Sequence, residues 1–320
     1  MIYIGHRSAL AFWLTRTSGQ DDPEYVRDRG LALAEASAAA FGDARPSLGF
    51  LADGPVHLMV PDGSSKRHAK GTVTHAWSGS LPAGAFCELG GSCRIASPEL
   101  TYLLMAARHP LRQVVEWGCY LCGGFAIAEE GYGYVGSRRP LTTPDDIRAF
   151  IERADHSYGA KPALEALEYV VARLASPMEV FLGMECAMPG QLGGFEFPPI
   201  VANEELVVPE ELRLLAGTRH YFGDLYIPSV NGDLEFDSAE FHTGPARLDH
   251  DQTRRNILEV MGTKTVTATY GQVRTFEKFE SFVRMTKGRF GIPTREFSRV
   301  ERLAQSDLHE FLLAPRRPRF

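Results

Sequence analysis

The chain has 320 residues, of which 44% are apolar and 23% charged, and its length favours two globular domains over one. The formal net charge of −6 excludes a chain coated in positive charge, so any nucleic-acid binding has to come from local basic patches. The chain lacks the run of about 18 uncharged apolar residues that a membrane span needs, and His6 and Arg7 stand where a secretory signal is apolar. We therefore expect a soluble cytoplasmic protein with no membrane partner.

The first third of the chain is typical of a small α/β domain. Residues 6–14 are predicted to form a helix, and residues 56–60 and 73–77 are predicted to form short strands between Gly, Pro and Ser clusters. The two strands bracket a basic loop that contains Lys66, Arg67, His68 and Lys70. This loop is either a nucleic-acid contact or an ordinary solvated surface. The domain is expected to end in a Gly-rich stretch within residues 126–143.

Three helix starts share one signal, a Ser or Thr followed by Pro. The hydroxyl caps the first turn, and proline is tolerated at the next position because its missing N–H has no partner in the helix. The signal predicts helices that begin at Ser97-Pro98, Thr143-Pro144 and Ser176-Pro177 and end near residues 108, 154 and 188.

Five cysteines, an odd number in a long chain, favour reduced thiols over a disulfide framework. Cys119 and Cys122, with Cys87 and Cys93 upstream, could complete a zinc site. The pair lies at the end of an apolar helical pattern and lacks a knuckle glycine, so buried thiols are favoured.

The second part of the chain has a different order of elements. Helices are predicted over residues 162–174 and 177–188, followed by a Gly/Pro-rich loop over residues 189–199. Strands at 219–227 and 233–238 flank an Asn-Gly turn signal and predict a hairpin. A helix at 248–261 capped by Gly262, a strand at 265–269 and a helix at 276–287 follow. Strand, helix and strand predict a right-handed βαβ crossover, so the last strand should pair parallel to a hairpin strand.

Three carboxylates are expected at one edge of this sheet. Glu235 and Asp237 are two residues apart on one strand and therefore share a face, and the hairpin brings Asp224 opposite Glu235. Crowded carboxylates repel unless a cation lies between them, and oxygen ligands suit Mg²⁺ or Mn²⁺. His242 could serve as acid or base for a metal-bound water. Taken singly, each residue could instead be a turn cap, an edge-strand charge or a loop histidine.

The segments Asp224-Leu-Tyr-Ile-Pro228, Leu234-Glu-Phe-Asp-Ser238 and Phe241-His242 resemble the core of the very-short-patch repair endonucleases. These enzymes belong to the PD-(D/E)XK nuclease superfamily, and the segment 247–262, with Asp251 and Arg254, resembles the helix that follows in that group. The resemblance implies a restriction-endonuclease-like α/β domain with a mixed central sheet over residues 160–320. It also implies metal ligation by Asp224 and Glu235 and catalysis by His242.

A helix glutamate of this family maps to Glu179, although its spacing from Ser176 is equally that of a capping box. Asp237 stands where many superfamily members have lysine, and Ser238 where close relatives often have glycine.

Residues 6–10, 56–61 and 97–101 resemble the AbiEi-type abortive-infection antitoxins, which implies an antitoxin-like α/β domain over residues 1–140.

Together these features predict a metal-dependent DNA endonuclease that acts in defence, a mobile element or repair. Its catalytic group would comprise Asp224, Glu235, Asp237, His242 and Glu179, and DNA would contact Lys66, Arg67, Lys70 and Arg254. The alternative is an inactive nuclease fold that binds DNA as an antitoxin-type regulator, with a toxin or defence protein as partner.

Overall fold

The computed structural model describes residues 1–20, 23–27, 30–31, 33–44, 54–90, 92–128, 133–135, 138–154, 158–237 and 245–314, with only the backbone of 245–248 and 250–251. These residues form two compact units that divide between Val170 and Val171. Both units combine helices with a sheet, so the predicted α/β class is confirmed. This boundary lies C-terminal to residue 140, where the first domain was predicted to end, and to residue 160, where the second was predicted to begin.

The first unit contains seven strands and six helices within the described residues. In chain order they are β1 (Ile2–Ile4), α1 (His6–Thr15), α2 (Ala38–Ala44), β2 (Val56–Val60), β3 (Thr72–Ala76), β4 (Phe86–Gly90), β5 (Cys93–Ala96), α3 (Pro98–Ala106), α4 (Leu111–Leu121), β6 (Ala126–Ile127), β7 (Tyr134–Val135), α5 (Pro144–Arg153) and α6 (Ala160–Leu167).

A five-stranded sheet in the order β3-β2-β1-β5-β4 carries this unit, and β6 pairs with β7 separately. Helix α3 lies at its centre, and all nine of its residues are buried. The hydroxyl groups of Ser97 and Thr143 accept hydrogen bonds from first-turn backbone N–H groups of α3 and α5, respectively. These caps are the ones that the Ser-Pro and Thr-Pro signals predict. Helices α5 and α6 pack against α3 and therefore belong to this unit. Helix α6 ends at Leu167, seven residues before its predicted end.

The second unit has a four-stranded sheet and six helices within the described residues. They are α7 (Pro177–Ala187), β8 (Val201–Val207), α8 (Arg213–Ala216), β9 (His220–Ile227), β10 (Gly232–Asp237), α9 (Pro245–Val260), β11 (Lys264–Thr269), α10 (Tyr270–Val273), α11 (Phe276–Phe290) and α12 (Arg299–Leu313).

The sheet is mixed, in the order β11-β10-β9-β8. Strands β9 and β10 pair antiparallel with Leu234 opposite Leu225, and β10 pairs parallel with β11. The predicted hairpin and parallel return strand are therefore confirmed. Gly262 follows α9 with φ +74°, a left-handed backbone that glycine adopts without strain.

Helices α7 and α9 both pack on this sheet. Helix α7 contacts β9 and β10, and α9 contacts β11 and α8. A core cluster holds α9 against the sheet through the apolar residues Leu206, Val208, Ala216, Tyr221, Ile257 and Leu258. All five cysteines of the chain are buried and free. No helix in the described ranges is long and apolar enough to span a membrane.

Candidate functional site

The hairpin of the second unit brings together the two carboxylates expected as metal ligands. The antiparallel pairing of β9 and β10 extends to Leu225 and Leu234, and Asp224 and Glu235 are the next residues on the two strands. Asp224 Oδ2 accepts a hydrogen bond of 3.1 Å from the Phe236 N–H, which ties this carboxylate to the neighbouring strand. Burial raises the pKa of Asp224, and the negative charge of Glu235 adds to the rise.

Arg254 of α9 is the cation at this group. Its Nη2 lies 2.5 Å from Glu235 Oε1 and also donates to the Phe222 carbonyl oxygen at 2.8 Å. The guanidinium lies over the Tyr221 ring, 5.0 Å from the ring centroid. Both charged side chains are about four-fifths buried. The structure thus places Arg254, expected as a DNA contact, on a carboxylate of its own unit.

A third carboxylate, Asp233, belongs to the group but was absent from the expected site residues. Its side chain is fully buried, and neither carboxylate oxygen makes a hydrogen bond of normal geometry with the described residues, although the Leu225 N–H is near enough to oppose the rise in its pKa. Burial, followed by the charges of Glu235 and Asp224, raises its pKa to about 8. The sequence did contain a signal for Asp233. Side chains along a strand alternate between its two faces, so Asp233, two residues before Glu235, lies on the same face of β10.

Gly223 provides the space that Asp233 occupies. A Cβ atom at Gly223 would lie 2.8 Å from Asp233 Oδ1, closer than side chains approach. The strand β9 therefore accommodates the buried carboxylate only because residue 223 has no side chain. We name Asp224, Asp233 and Glu235 the carboxylate cluster.

Glu179 lies in the first turn of α7, where its contacts are those of a helix cap. Its Oε2 accepts from the Ala175 N–H at 2.7 Å, and its backbone N–H donates to Ser176 Oγ at 3.2 Å, which is a capping arrangement. Burial raises its pKa to about 7, and the charge of Asp224 contributes to the rise. Glu179 therefore caps α7 and also lies within electrostatic reach of the carboxylate cluster.

The remaining expected residues lie apart or outside the described structure. Asp237 is exposed at the end of β10 and lines a polar groove of about 550 Å³ with Gln252, Asn256 and Thr267. His242 falls within residues 238–244, outside the described residues. Lys66, Arg67 and Lys70 are exposed in the first unit, where Arg67 Nη1 donates to the Ser64 carbonyl oxygen at 2.6 Å.

The donor atoms of the carboxylate cluster fit a hard divalent cation better than a soft one, since all are carboxylate oxygens. The buried oxygens of Asp233 make no hydrogen bond of normal geometry within the described residues, so they are available to a further partner. Within the described ranges no three His, Cys, Asp or Glu side chains are already arranged as a metal-binding group. The Arg254 guanidinium supplies the positive charge at Glu235 instead.

Comparison with known proteins brings no relative to bear on this site, because no family model, curated protein or solved structure matches the chain.

Proposed function

We propose that the second unit is a metal-dependent DNA endonuclease that hydrolyses phosphodiester bonds with Mg²⁺ or Mn²⁺. The observation that carries the proposal is the carboxylate cluster, in which two adjacent strands place three acids together, with Arg254 as the arginine beside them among the described residues. With Asp233 mostly protonated at pH 7, Asp224 and Glu235 together outnumber the one guanidinium, and the remaining negative charge favours a divalent cation.

Each group of the cluster has a task in this chemistry. Asp224 and Glu235 would hold the cation, and the Phe236 N–H orients Asp224 for that purpose. When bound, the metal polarises the scissile phosphate and lowers the pKa of a bound water. Asp233 and Glu179 have pKa values of about 8 and 7, so each can take up or release a proton near neutral pH. Arg254 brings positive charge to a position where a phosphate oxygen would need it.

The test is cleavage of end-labelled duplex, mismatched and single-stranded DNA by the purified full-length protein, with Mg²⁺, Mn²⁺ or EDTA. We expect metal-dependent cleavage that Asp224→Asn and Glu235→Gln each reduce by at least about 100-fold. The matched control is Glu259→Gln, an exposed acid on α9, which should cleave like the wild type. Cleavage that persists in EDTA, or in both cluster variants, contradicts the proposal.

The rival function is a DNA-binding regulator with an inactive nuclease fold, and the Arg254–Glu235 ion pair favours it. A guanidinium already neutralises Glu235, so one of the two proposed metal ligands has a counter-charge without any metal. Salt-dependent binding of DNA without cleavage, under every metal tested, would establish this function in place of the endonuclease.

A further inference from the structure

Three histidines of the first unit form a separate cluster, which we name the histidine cluster: His6, His57 and His75. A ring-to-ring hydrogen bond of 2.9 Å links His57 Nδ1 and His75 Nε2. The His6 ring stacks on His75 with ring centroids 3.8 Å apart. They come from the start of α1 and from the adjacent parallel strands β2 and β3.

His6 has two features of a functional residue. Its φ of +50° lies in the left-handed region, which is costly for a residue with a side chain and is found most often at functional sites. Its side chain is 9% exposed, and its ring packs on the His75 ring. A largely buried imidazole held in a strained backbone, with a ring edge that solvent still reaches, is able to meet a small ligand.

Among the described residues, the charged groups that shift the pKa values of the histidine cluster are basic. Arg108 and His109 lower the pKa of His6 electrostatically. Arg7 does the same for His57, and Lys66 and Arg108 do so for His75. Burial comes first among the causes that lower the pKa of each ring, and these positive neighbours lower it further. The rings are therefore neutral near pH 7, in a field that repels cations and attracts anions.

The cluster also lies at the N-terminus of a ten-residue helix. Gly5 at the N-cap of α1 has no side-chain acceptor, so it gives the first-turn N–H groups of α1 no side-chain cap. These N–H groups add partial positive charge beside His6.

We infer that the histidine cluster binds a phosphate group, which accepts the ring N–H of His6 and the one N–H that the hydrogen-bonded pair of His57 and His75 has left, with Arg7 and Arg108 at the rim. A phosphate has more acceptor oxygens than a carboxylate and arranges them tetrahedrally, so it suits imidazole and guanidinium N–H donors that converge from several directions. The basic loop of Lys66, Arg67 and Lys70 joins β2 to β3 and extends the positive charge outward from the cluster. The phosphate comes from a nucleic-acid backbone or from a free nucleotide. This inference is independent of the endonuclease proposed for the second unit.

The experiment follows the imidazole C–H resonances of the full-length protein, labelled at histidine, while inorganic phosphate is added. We expect saturable shifts of the His6, His57 and His75 signals, assigned with His6→Asn, His57→Gln and His75→Gln. His75→Gln should weaken phosphate binding about tenfold, the loss of one charge-assisted hydrogen bond. Arg108→Ala, an exposed change that leaves the ring packing intact, should weaken it several-fold. The control His220→Gln, in the second unit, should bind as the wild type.

Competition then separates the two sources of phosphate. Displacement by a short DNA duplex, lost at high salt, assigns the site to a nucleic-acid backbone, and displacement by a nucleoside monophosphate alone assigns it to a free nucleotide. Absence of any phosphate-induced shift overturns the inference. So do ring shifts that appear with Zn²⁺ and not with phosphate, because they would make the cluster a cation site.

Discussion

Arg254 and Glu235 form a two-point ion pair in which Nη2 and Nε of the guanidinium both donate to Oε1, at 2.5 and 3.2 Å. The pair joins the middle of α9 to the strand β10 that precedes it. It also sets the charge of the carboxylate cluster, because Arg254 opposes the pKa rise of both Asp224 and Asp233. Changes to this arginine should therefore affect stability and metal response together.

Arg254→Gln should lower the free energy of unfolding by about 1–3 kcal/mol at pH 7, since it leaves three acids without a nearby cation. Urea unfolding with and without Mg²⁺ checks this expectation. Mg²⁺ should restore more stability to the variant than it adds to the wild type, because metal and guanidinium compete for Glu235. The matched control is Arg255→Gln, an exposed neighbour on α9. An equal response to Mg²⁺ in both variants would count against a cation site at Glu235.

Asp233→Asn should make the protein more stable than the wild type above pH 7. The pKa of the folded-state acid is about 8, above the ordinary value of 3.8. Between these values the folded state holds a proton that the unfolded state has lost, so the wild type loses stability as pH rises from about 4 to 8. The asparagine variant lacks this loss, so its free energy of unfolding at pH 8 should exceed that of the wild type by more than about 1 kcal/mol.

Melting temperatures measured between pH 5 and pH 9 test the expectation for Asp233. The control Asp307→Asn, an exposed acid on α12, should follow the wild-type profile. If Asp233→Asn and wild type have parallel profiles, Asp233 is not the proton-holding group of the cluster.

Gly223→Ala should destabilise the protein by about 1–3 kcal/mol, because the added methyl group meets the Asp233 carboxylate. A double-mutant cycle with Asp233→Ala measures the collision directly, and the second change should recover most of the loss. Gly288→Ala is a matched control, since it adds a methyl group to helix α11 where no atom lies within 4 Å. That control should be neutral or slightly stabilising. Strictly additive effects in the cycle would contradict the proposed contact.

Asn231 at the hairpin turn combines a left-handed backbone, φ +46°, with two side-chain hydrogen bonds. Its Oδ1 accepts from Tyr226 Oη at 2.9 Å and from Thr263 Oγ1 at 3.2 Å. Asn231→Gly keeps the backbone and loses the bonds, so it should cost about 1–2 kcal/mol. Asn231→Ala loses both and should cost about 1 kcal/mol more. Equal unfolding free energies for the two variants would show that the backbone conformation contributes little.

Sequence patterns predicted the elements whose causes are local. The Ser-Pro and Thr-Pro helix starts, the hairpin between β9 and β10 and the parallel strand β11 all follow from caps, a turn residue and apolar spacing. Strand β8 was missed because Glu204 and Glu205 interrupt its apolar pattern, and it becomes a strand through pairing with β9. Helix α12 was missed although Ser298 and Glu301 form a capping box at its start.

The same distinction between local and tertiary causes applies to the candidate site. The opposition of Asp224 and Glu235 follows from hairpin register and could be predicted. The Arg254–Glu235 pair could not, because it depends on how α9 packs against β9 after the crossover. The assembly of His6, His57 and His75 needs the order of β1, β2 and β3 in the sheet, which no local pattern specifies.

The crossover from β10 through α9 to β11 also bears on how the second unit is made. The carboxylate cluster and the arginine that pairs with Glu235 all lie between Tyr221 and Arg254, a short and continuous stretch of chain. Contacts at such small sequence separation close quickly, with little loss of chain entropy. Synthesis runs from the N-terminus, so every member of this group leaves the ribosome before α11 and α12, and the formation of the ion pair does not have to wait for those two helices.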